Sequence, residues 1–225
     1  MTSNCENCPF NQNAVHTLSK DGFEQLNENH AVVNFSKGDV IIKQGNFSTN
    51  VVYLRTGLVK LHIAGPYHEQ IVRLVKAPSY LGLPTTIGDK INQYSVTAVA
   101  DSEVCFIDVN IFKKLLDDNH DFSYQIILDL CRNELESFRR CANRTQRQSR
   151  GNIASFLLEL SNDIVDSNLF VLPLSQSEIG NLVDTTRENV SRILAEFDND
   201  HIISLKGKKV EILNKNSLEL ISKNG

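Results

Sequence analysis

Between about residues 32 and 108 the apolar positions come in short β-branched runs, at 40–42, 51–54, 58–63, 71–75, 95–99 and 104–107. Gly38, Gly45, Gly57, Gly65 and Gly82 fall between these runs or at their edges. Such spacing predicts an antiparallel sandwich or jelly roll, a sheet shell around a core. In one run Val59, Leu61 and Ile63 alternate with Lys60 and His62, the pattern of a strand with one face in water. After Asp108 the period changes. Tyr124, Ile127, Cys131, Leu135, Phe138 and Ala142 recur every three or four residues and share one stripe of a long helix. That stripe packs either on the chain's own sheet or on a second copy of the chain.

From about residue 150 a second pattern begins, with Ile153, Phe156, Leu157, Leu160 and Ile164 on one helical face. Ser175, followed three residues later by Glu178, reads as a capping box opening a short helix through Val183. Asp184 stands where the chain must turn sharply, and Asp tolerates the left-handed conformation. Thr185 and Glu188 read as a second capping box. Helix, tight turn and helix in so short a span is the helix-turn-helix plan. Two apolar runs, 202–205 and 210–213, then flank Lys206, Gly207 and Lys208, which predicts a hairpin wing with a basic tip.

The second helix of this plan, about residues 186–197, sorts its side chains by chemistry. At about 100° per residue, Val190, Ile193, Leu194 and Phe197 face one side, and Arg187, Glu188, Ser191 and Arg192 face the other. An arginine can grip guanine O6 and N7 with two hydrogen bonds, and a carboxylate can accept from cytosine N4. Recognition helices enter the major groove by their first turns, where these residues lie. The candidate DNA contacts are therefore Ser175, Thr185, Thr186, Arg187, Glu188, Asn189, Ser191 and Arg192, with Lys206 and Lys208 of the wing.

Composition changes this picture little. The chain has 225 residues, 41% hydrophobic and 22% charged, an ordinary globular balance. Residues 1–10 hold no apolar stretch flanked by basic residues, and no apolar run nears the roughly 18 residues a membrane helix needs; a cytoplasmic protein without a membrane partner is expected. The net charge of -4 is unevenly spread. Residues 1–138 hold about 11 basic against 16 acidic side chains, and 139–225 about 12 against 11. Arg139, Arg140, Arg144, Arg147 and Arg150 form the densest basic stretch, a pattern more often a solvated helix face than a DNA contact. Five cysteines, Cys5, Cys8, Cys105, Cys131 and Cys141, are an odd number that argues against a disulfide framework. Cys131 and Cys141 read as small helix-packing residues. Jelly rolls also serve metal-dependent enzymes, but the six histidines form no i,i+2 or i,i+4 ligand pair. Catalysis is therefore not expected. A helix-turn-helix that meets protein instead of DNA is the other rival.

Arg187, Glu188, Asn189, Val190, Ser191 and Arg192 match the R-E-x-x-S-R pattern of the reading helix in the CRP/FNR family of bacterial transcription regulators, which the chain resembles over nearly its whole length. The likeness includes Gly38, Gly45 and Gly57, the long helix and the wing. The family usually has glycine where this chain has Asp184. The resemblance implies an α+β architecture: an N-terminal double-stranded β-helix, the jelly roll of cyclic-nucleotide-binding type, over 1–120, a dimerisation helix over 121–148, and a winged helix-turn-helix over 149–225. It also implies a homodimer on double-stranded DNA in contact with RNA polymerase, and it favours the second copy as partner of the stripe.

The signal is harder to read. Family members that bind cyclic nucleotides hold the ribose with the Glu of G-E-L and the phosphate with the Arg of R-S. Here Gly82 precedes Leu83 and Tyr94 precedes Ser95, the four residues of the candidate effector pocket. A tyrosine hydroxyl cannot neutralise a buried cyclic phosphate, so cyclic AMP is not expected. The oxygen-sensing branch of the family holds an iron-sulphur cluster with N-terminal cysteines and one strand cysteine, which makes Cys5, Cys8 and Cys105 candidate metal ligands. The pattern's remaining N-terminal cysteine is missing, Asn13 and Ala14 standing near its place and His16 just beyond. Zinc, or no metal and a Cys105 that merely fills the core, are alternatives.

Overall fold

The computed structural model describes residues 14–225, which fall into two compact units. The first holds the described residues up to Pro66 together with Val72–Leu135, and the second holds Tyr67–Ile71 and Glu136–Gly225.

The first unit opens with a turn of 3₁₀ helix, Ala14–Thr17, and helix α1, Lys20–Glu28, whose Ser19 N-cap accepts from the Gly22 amide. Eight strands follow: β1 His30–Phe35, β2 Val40–Ile42, β3 Asn50–Thr56, β4 Leu58–Ala64, β5 Glu69–Lys76, β6 Ser79–Leu81, β7 Ser95–Ala98 and β8 Ser102–Asp108. They form two four-stranded sheets, ordered β1-β8-β3-β6 and β2-β7-β4-β5. The expected jelly roll is present. Helix α2, Val109–Asp118, then starts on the Asp108 carboxylate, and α3 spans His120–Gln146.

Strand β3 lies between two apolar layers. Val52 and Leu54 join Val59, Leu61, Val96 and Val104 in one core cluster. Val51 and Tyr53 join Cys105, Ile107, Phe112 and Phe122 in a second, made with the helices. A ladder of rings runs through the second, Tyr53 to Tyr80 at 4.8 Å, Tyr80 to Phe112 at 5.9 Å and Phe112 to Phe122 at 5.5 Å. With both faces covered, the strand reads as an unbroken apolar run. Its Arg55 pairs with Glu103 at 2.9 Å.

The alternation in β4 misleads on one side. Lys60 is buried, only 9% exposed, and His62 is half-buried with Nε2 2.8 Å from Thr97 Oγ1. β4 is an interior strand, flanked by β7 and β5, and only its last two residues, Ile63 and Ala64, are exposed.

Gly57 joins β3 to β4 at φ +98°, a conformation that L side chains rarely adopt. A Cβ there would meet Ser102 Oγ, and would stand 2.6 Å from the Asp101 carbonyl oxygen and 2.7 Å from Ser102 Cα. Gly57→Ala is expected to destabilise the first unit by about 2–4 kcal/mol, strain and overpacking adding. Chemical denaturation followed by tyrosine fluorescence would check this, and an unchanged midpoint would refute it.

The stripe on α3 is uncovered within the chain. Tyr124 is 60% exposed, Ile127 54%, Leu135 58% and Phe138 63%, and Cys131 and Ala142 are exposed as well. Packing on the chain's own sheet falls instead to Phe122 and Ile126, both buried. Cys141 is also exposed, so neither Cys131 nor Cys141 is covered within a single chain. A small apolar residue on a helix reads the same whether its cover is its own chain or another.

The second unit begins within α3. Arg140 grips Glu159 of helix α4, Ser149–Glu159, with Nη1 to Oε2 at 3.1 Å and Nη2 to Oε1 at 2.8 Å. Burial works against the Arg140 charge, but the hydrogen-bonded Glu159 carboxylate, with Glu136 and Asp163 nearby, holds its pKa above the usual arginine value. A π-turn, Leu160–Ile164, leads to strand β9, Leu169–Val171. Helices α5, Gln176–Val183, and α6, Arg187–Asn199, follow, then the hairpin of β10, Ile203–Lys206, and β11, Lys209–Ile212, and finally α7, Lys215–Asn224. Ile153, Leu157, Leu160, Ile179, Leu194, Phe197, Val210 and Leu218 are almost wholly enclosed in its core. No helix among the described residues is long and apolar enough to cross a membrane.

Candidate nucleic-acid interface

The turn between α5 and α6 rests on three residues. Ser175 caps α5, its Oγ accepting from the Glu178 amide while Glu178 accepts from the Ser175 amide at 2.8 Å. Asp184 takes the left-handed conformation, φ 58° and ψ 57°. The chain then doubles back over Gly180, whose carbonyl accepts from the Thr185 amide at 3.0 Å. A Cβ on Gly180 would lie 2.6 Å from the Thr185 oxygen. Gly180 was not among the residues singled out by sequence, because a glycine inside a helix gives no signal of the backbone that crosses it.

The second cap differs from expectation. The N-cap of α6 is Thr186, whose hydroxyl accepts from the Asn189 amide at 3.2 Å, and no capping box joins Thr185 to Glu188. Adjacent threonines make both registers plausible in sequence. Thr185 is engaged elsewhere, its hydroxyl accepting from Asn189 Nδ2 at 2.8 Å and from Ser149 Oγ at 3.2 Å.

Val190, Ile193, Leu194 and Phe197 face the core at 2% exposure or less, while Arg187, Glu188, Ser191 and Arg192 are exposed. With Gln176 and Ala195 these four line one open concavity on the outer face of α6. Gln176, which sequence reasoning missed, stands at the first position of α5, where side chains project beside the reading helix. Arg187 forms no ion pair among the described residues. Arg192 is already held: it donates from Nη1 to Glu196 and from Nη2 to Asn189 Oδ1, the latter at 2.7 Å. The Ser175 hydroxyl is engaged in its cap, and Asn189 and Thr185 bond each other. Of the contacts expected on α6, Arg187, Glu188, Ser191 and Arg192 therefore form the exposed face, Arg192 being already bonded within it.

The wing forms as expected. Lys206 pairs with Lys209 across a tight turn in which Gly207 has φ +64°. Lys206 and Lys208 are exposed. The short β9, not foreseen, makes the wing a three-stranded sheet in the order β10-β11-β9.

In the first unit, Gly82 and Tyr94 come together: the Gly82 amide donates to Tyr94 Oη at 3.1 Å. Burial pushes the Tyr94 hydroxyl pKa up, the Gly82 amide and the Arg73 charge pulling it partly back. Ser95 Oγ accepts from the Gln44 amide at 3.0 Å. Leu83 sits apart from this pair, in the helix-side core with Tyr53 and Phe112.

Cys5 and Cys8 lie outside the described residues. Cys105 is 5% exposed in the helix-side core, paired across the sheet with Val32 and Tyr53. Among the described residues no group of three or more His, Cys, Asp or Glu side chains could hold a metal ion. Among the described residues, Cys105 lies in the apolar helix-side core.

Comparison with known proteins accords with this geometry. Residues 152–221 match the Crp-like helix-turn-helix domain family, and residues 32–119 match the cyclic nucleotide-binding domain family. The chain is 26% identical to the fumarate and nitrate reduction regulatory protein of Vibrio cholerae, over 93% of this chain and 86% of that one. It is also 26% identical to electron transport regulator A of Shewanella oneidensis, over 98% of this chain and 90% of that one. In fold it is similar to FixK2 of Bradyrhizobium japonicum, with a TM-score of 0.77 at 18% identity, covering 85% of this chain and 96% of that one. A CRP-family regulator of Thermus thermophilus superposes with a TM-score of 0.75 at 21% identity, covering 86% of this chain and 97% of that one.

A β-roll of cyclic-nucleotide-binding type joined to a winged helix-turn-helix defines an effector-controlled, DNA-binding transcription regulator. The chain belongs to the CRP/FNR family.

Proposed function

We propose that the protein works in the cytoplasm as a homodimer joined along the α3 stripe, that it reads a near-palindromic duplex with α6 of each copy, and that it contacts RNA polymerase from the bound site. The observation that carries this reading is the outward face of α6, where Arg187, Glu188, Ser191 and Arg192 line one concavity free of core duties. The wing lysines Lys206 and Lys208 supply phosphate contacts, which set register but carry no sequence information. Two copies related by a dyad match the symmetry of such sites. The work done is binding, not catalysis.

The signal received by the β-roll is something other than cyclic AMP. The Gly82 amide, a natural donor to an anion, is already taken by the neutral Tyr94 hydroxyl, and a cyclic phosphate bound there would lack the charged partner its burial requires. The family match over residues 32–119 supports the fold of that domain, not its ligand.

The test is a duplex selected from a randomised pool, with a scrambled duplex as control. Arg187→Ala and Arg192→Ala are each expected to weaken binding to the selected duplex by about 1–3 kcal/mol and to the scrambled duplex far less. Equal losses on both would assign these arginines to phosphates.

A further inference from the structure

The reading arginine is tied back to one place in the fold by two separate polar chains. The first runs from Ser149, whose Oγ donates to Thr185 Oγ1 at 3.2 Å. Thr185 accepts from Asn189 Nδ2 at 2.8 Å, and Asn189 Oδ1 accepts from Arg192 Nη2 at 2.7 Å. The second runs from Arg150, whose Nη1 lies 4.0 Å from Glu196 Oε2, while Glu196 Oε1 accepts from Arg192 Nη1. Ser149 and Arg150 are neighbours in the first turn of α4. Arg150 is itself fixed, with Nη2 3.5 Å from Asp200 Oδ2 and its guanidinium 5.2 Å from the ring centroid of Phe197, a fully buried side chain.

We infer that the first turn of α4, through Ser149 and Arg150, positions the Arg192 guanidinium for base reading. This rests on the reading of Arg192 as a base contact. An isolated i,i+4 pair on a helix surface does little, since an exposed long side chain must give up rotamer freedom to form it. Here the guanidinium is held from both edges, by a carboxylate on one side and an amide oxygen on the other, and each holder is anchored in turn. A guanidinium carries five N–H donors, and these two bonds use two of them on a side chain that is still exposed. Arg192 therefore surrenders less side-chain entropy when it meets DNA than a free arginine such as Arg187. Ser149 and Arg150 act only through other side chains and are positioning residues.

The expected effect follows from the ordering cost of one long side chain, roughly three- to tenfold in affinity. The full-length protein is titrated with the selected duplex, with a random duplex, and with duplexes exchanged one base pair at a time. Arg192→Ala first identifies the base pair at which discrimination is lost. The double variant Ser149→Ala with Arg150→Ala is expected to reduce discrimination at that same base pair roughly three- to tenfold, leaving random-duplex affinity within about twofold. In an Arg192→Ala background the double variant is expected to have no further effect. Glu196→Gln, isosteric and at the surface, should relax the same base pair and keeps the test open should the double variant lose stability.

Loss of affinity on selected and random duplexes alike would overturn the inference, because Ser149 and Arg150 would then be phosphate contacts or purely structural. The same loss in the Arg192→Ala background would overturn it too. If Arg192→Ala relaxes no base pair, the reading of Arg192 itself fails. If Arg192→Ala relaxes one and neither the double variant nor Glu196→Gln does, only the positioning fails.

Discussion

Phe138→Asp is expected to turn the regulator into a monomer at micromolar concentration and to remove most of its affinity for a duplex with two half-sites. Phe138 is 63% exposed on a single chain, in line with Tyr124, Ile127 and Leu135, each more than half exposed. So many large apolar side chains in one row mark an interaction surface, and their spacing suits packing of one helix against its copy. In the proposed dimer each copy would bury a carboxylate without a cation, at several kcal/mol apiece. That weakens association on the order of a thousandfold or more. Loss of half the half-site contacts then follows by mass action. Sedimentation velocity together with a duplex titration decides the matter: a dimer of unchanged DNA affinity would place the interface elsewhere.

Gly180→Ala is expected to abolish specific DNA binding while leaving the first unit folded. The Thr185 carbonyl passes 2.6 Å from where the new methyl would stand. That neighbour is backbone and cannot swing aside as a side chain would. The turn must open, carrying Thr185 and the Thr186 cap with it. Overpacking of this kind costs roughly 1–3 kcal/mol or more, and the displaced cap adds about 1 kcal/mol. The readout is a fall in the melting temperature of the second unit with at least a tenfold loss on the selected duplex. Binding and melting both unchanged would show that the turn tolerates the methyl group.

The helix-turn-helix was legible because its signals are local. Ser175 with Glu178, and Asp184 at the turn, each state their conformation within a few residues. Six strands were legible for a similar reason, as apolar runs bounded by glycine. Three strands are not legible in this way. β6, Ser79–Leu81, and β9, Leu169–Val171, are three residues each, too short for periodicity, and β1, His30–Phe35, has no fully buried position to mark it. Helices α1, α2 and α7 do carry caps, at Ser19, Asp108 and Asn214, but each is brief and lies beside a more conspicuous pattern.

The candidate site divides along the same line. Which residues of α6 face outward follows from helical geometry, so Arg187, Glu188, Ser191 and Arg192 could be named from the sequence. Which of them are free could not. That Asn189 and Glu196 hold Arg192, and that Thr185 is bonded to Ser149, depends on contacts reaching back to residue 149, with no trace in local spacing. Leu83 shows the converse difficulty. Beside Gly82 in sequence, it turns into the helix-side core, because a tight turn at φ +71° on Gly82 separates the directions of adjacent residues.

The grip of Arg140 on Glu159 has a mechanical meaning. Phe138 and Arg140 are two positions apart, about 200° around the helix axis, so the proposed seam and the grip occupy opposite sides of one turn of α3. In the proposed dimer that turn would act as a crankpin. A twist applied at the seam would be passed to α4, since a bidentate pair resists rotation as well as separation. Rotating one copy's long helix against the other would then re-aim α4 and the side chains anchored to its first turn.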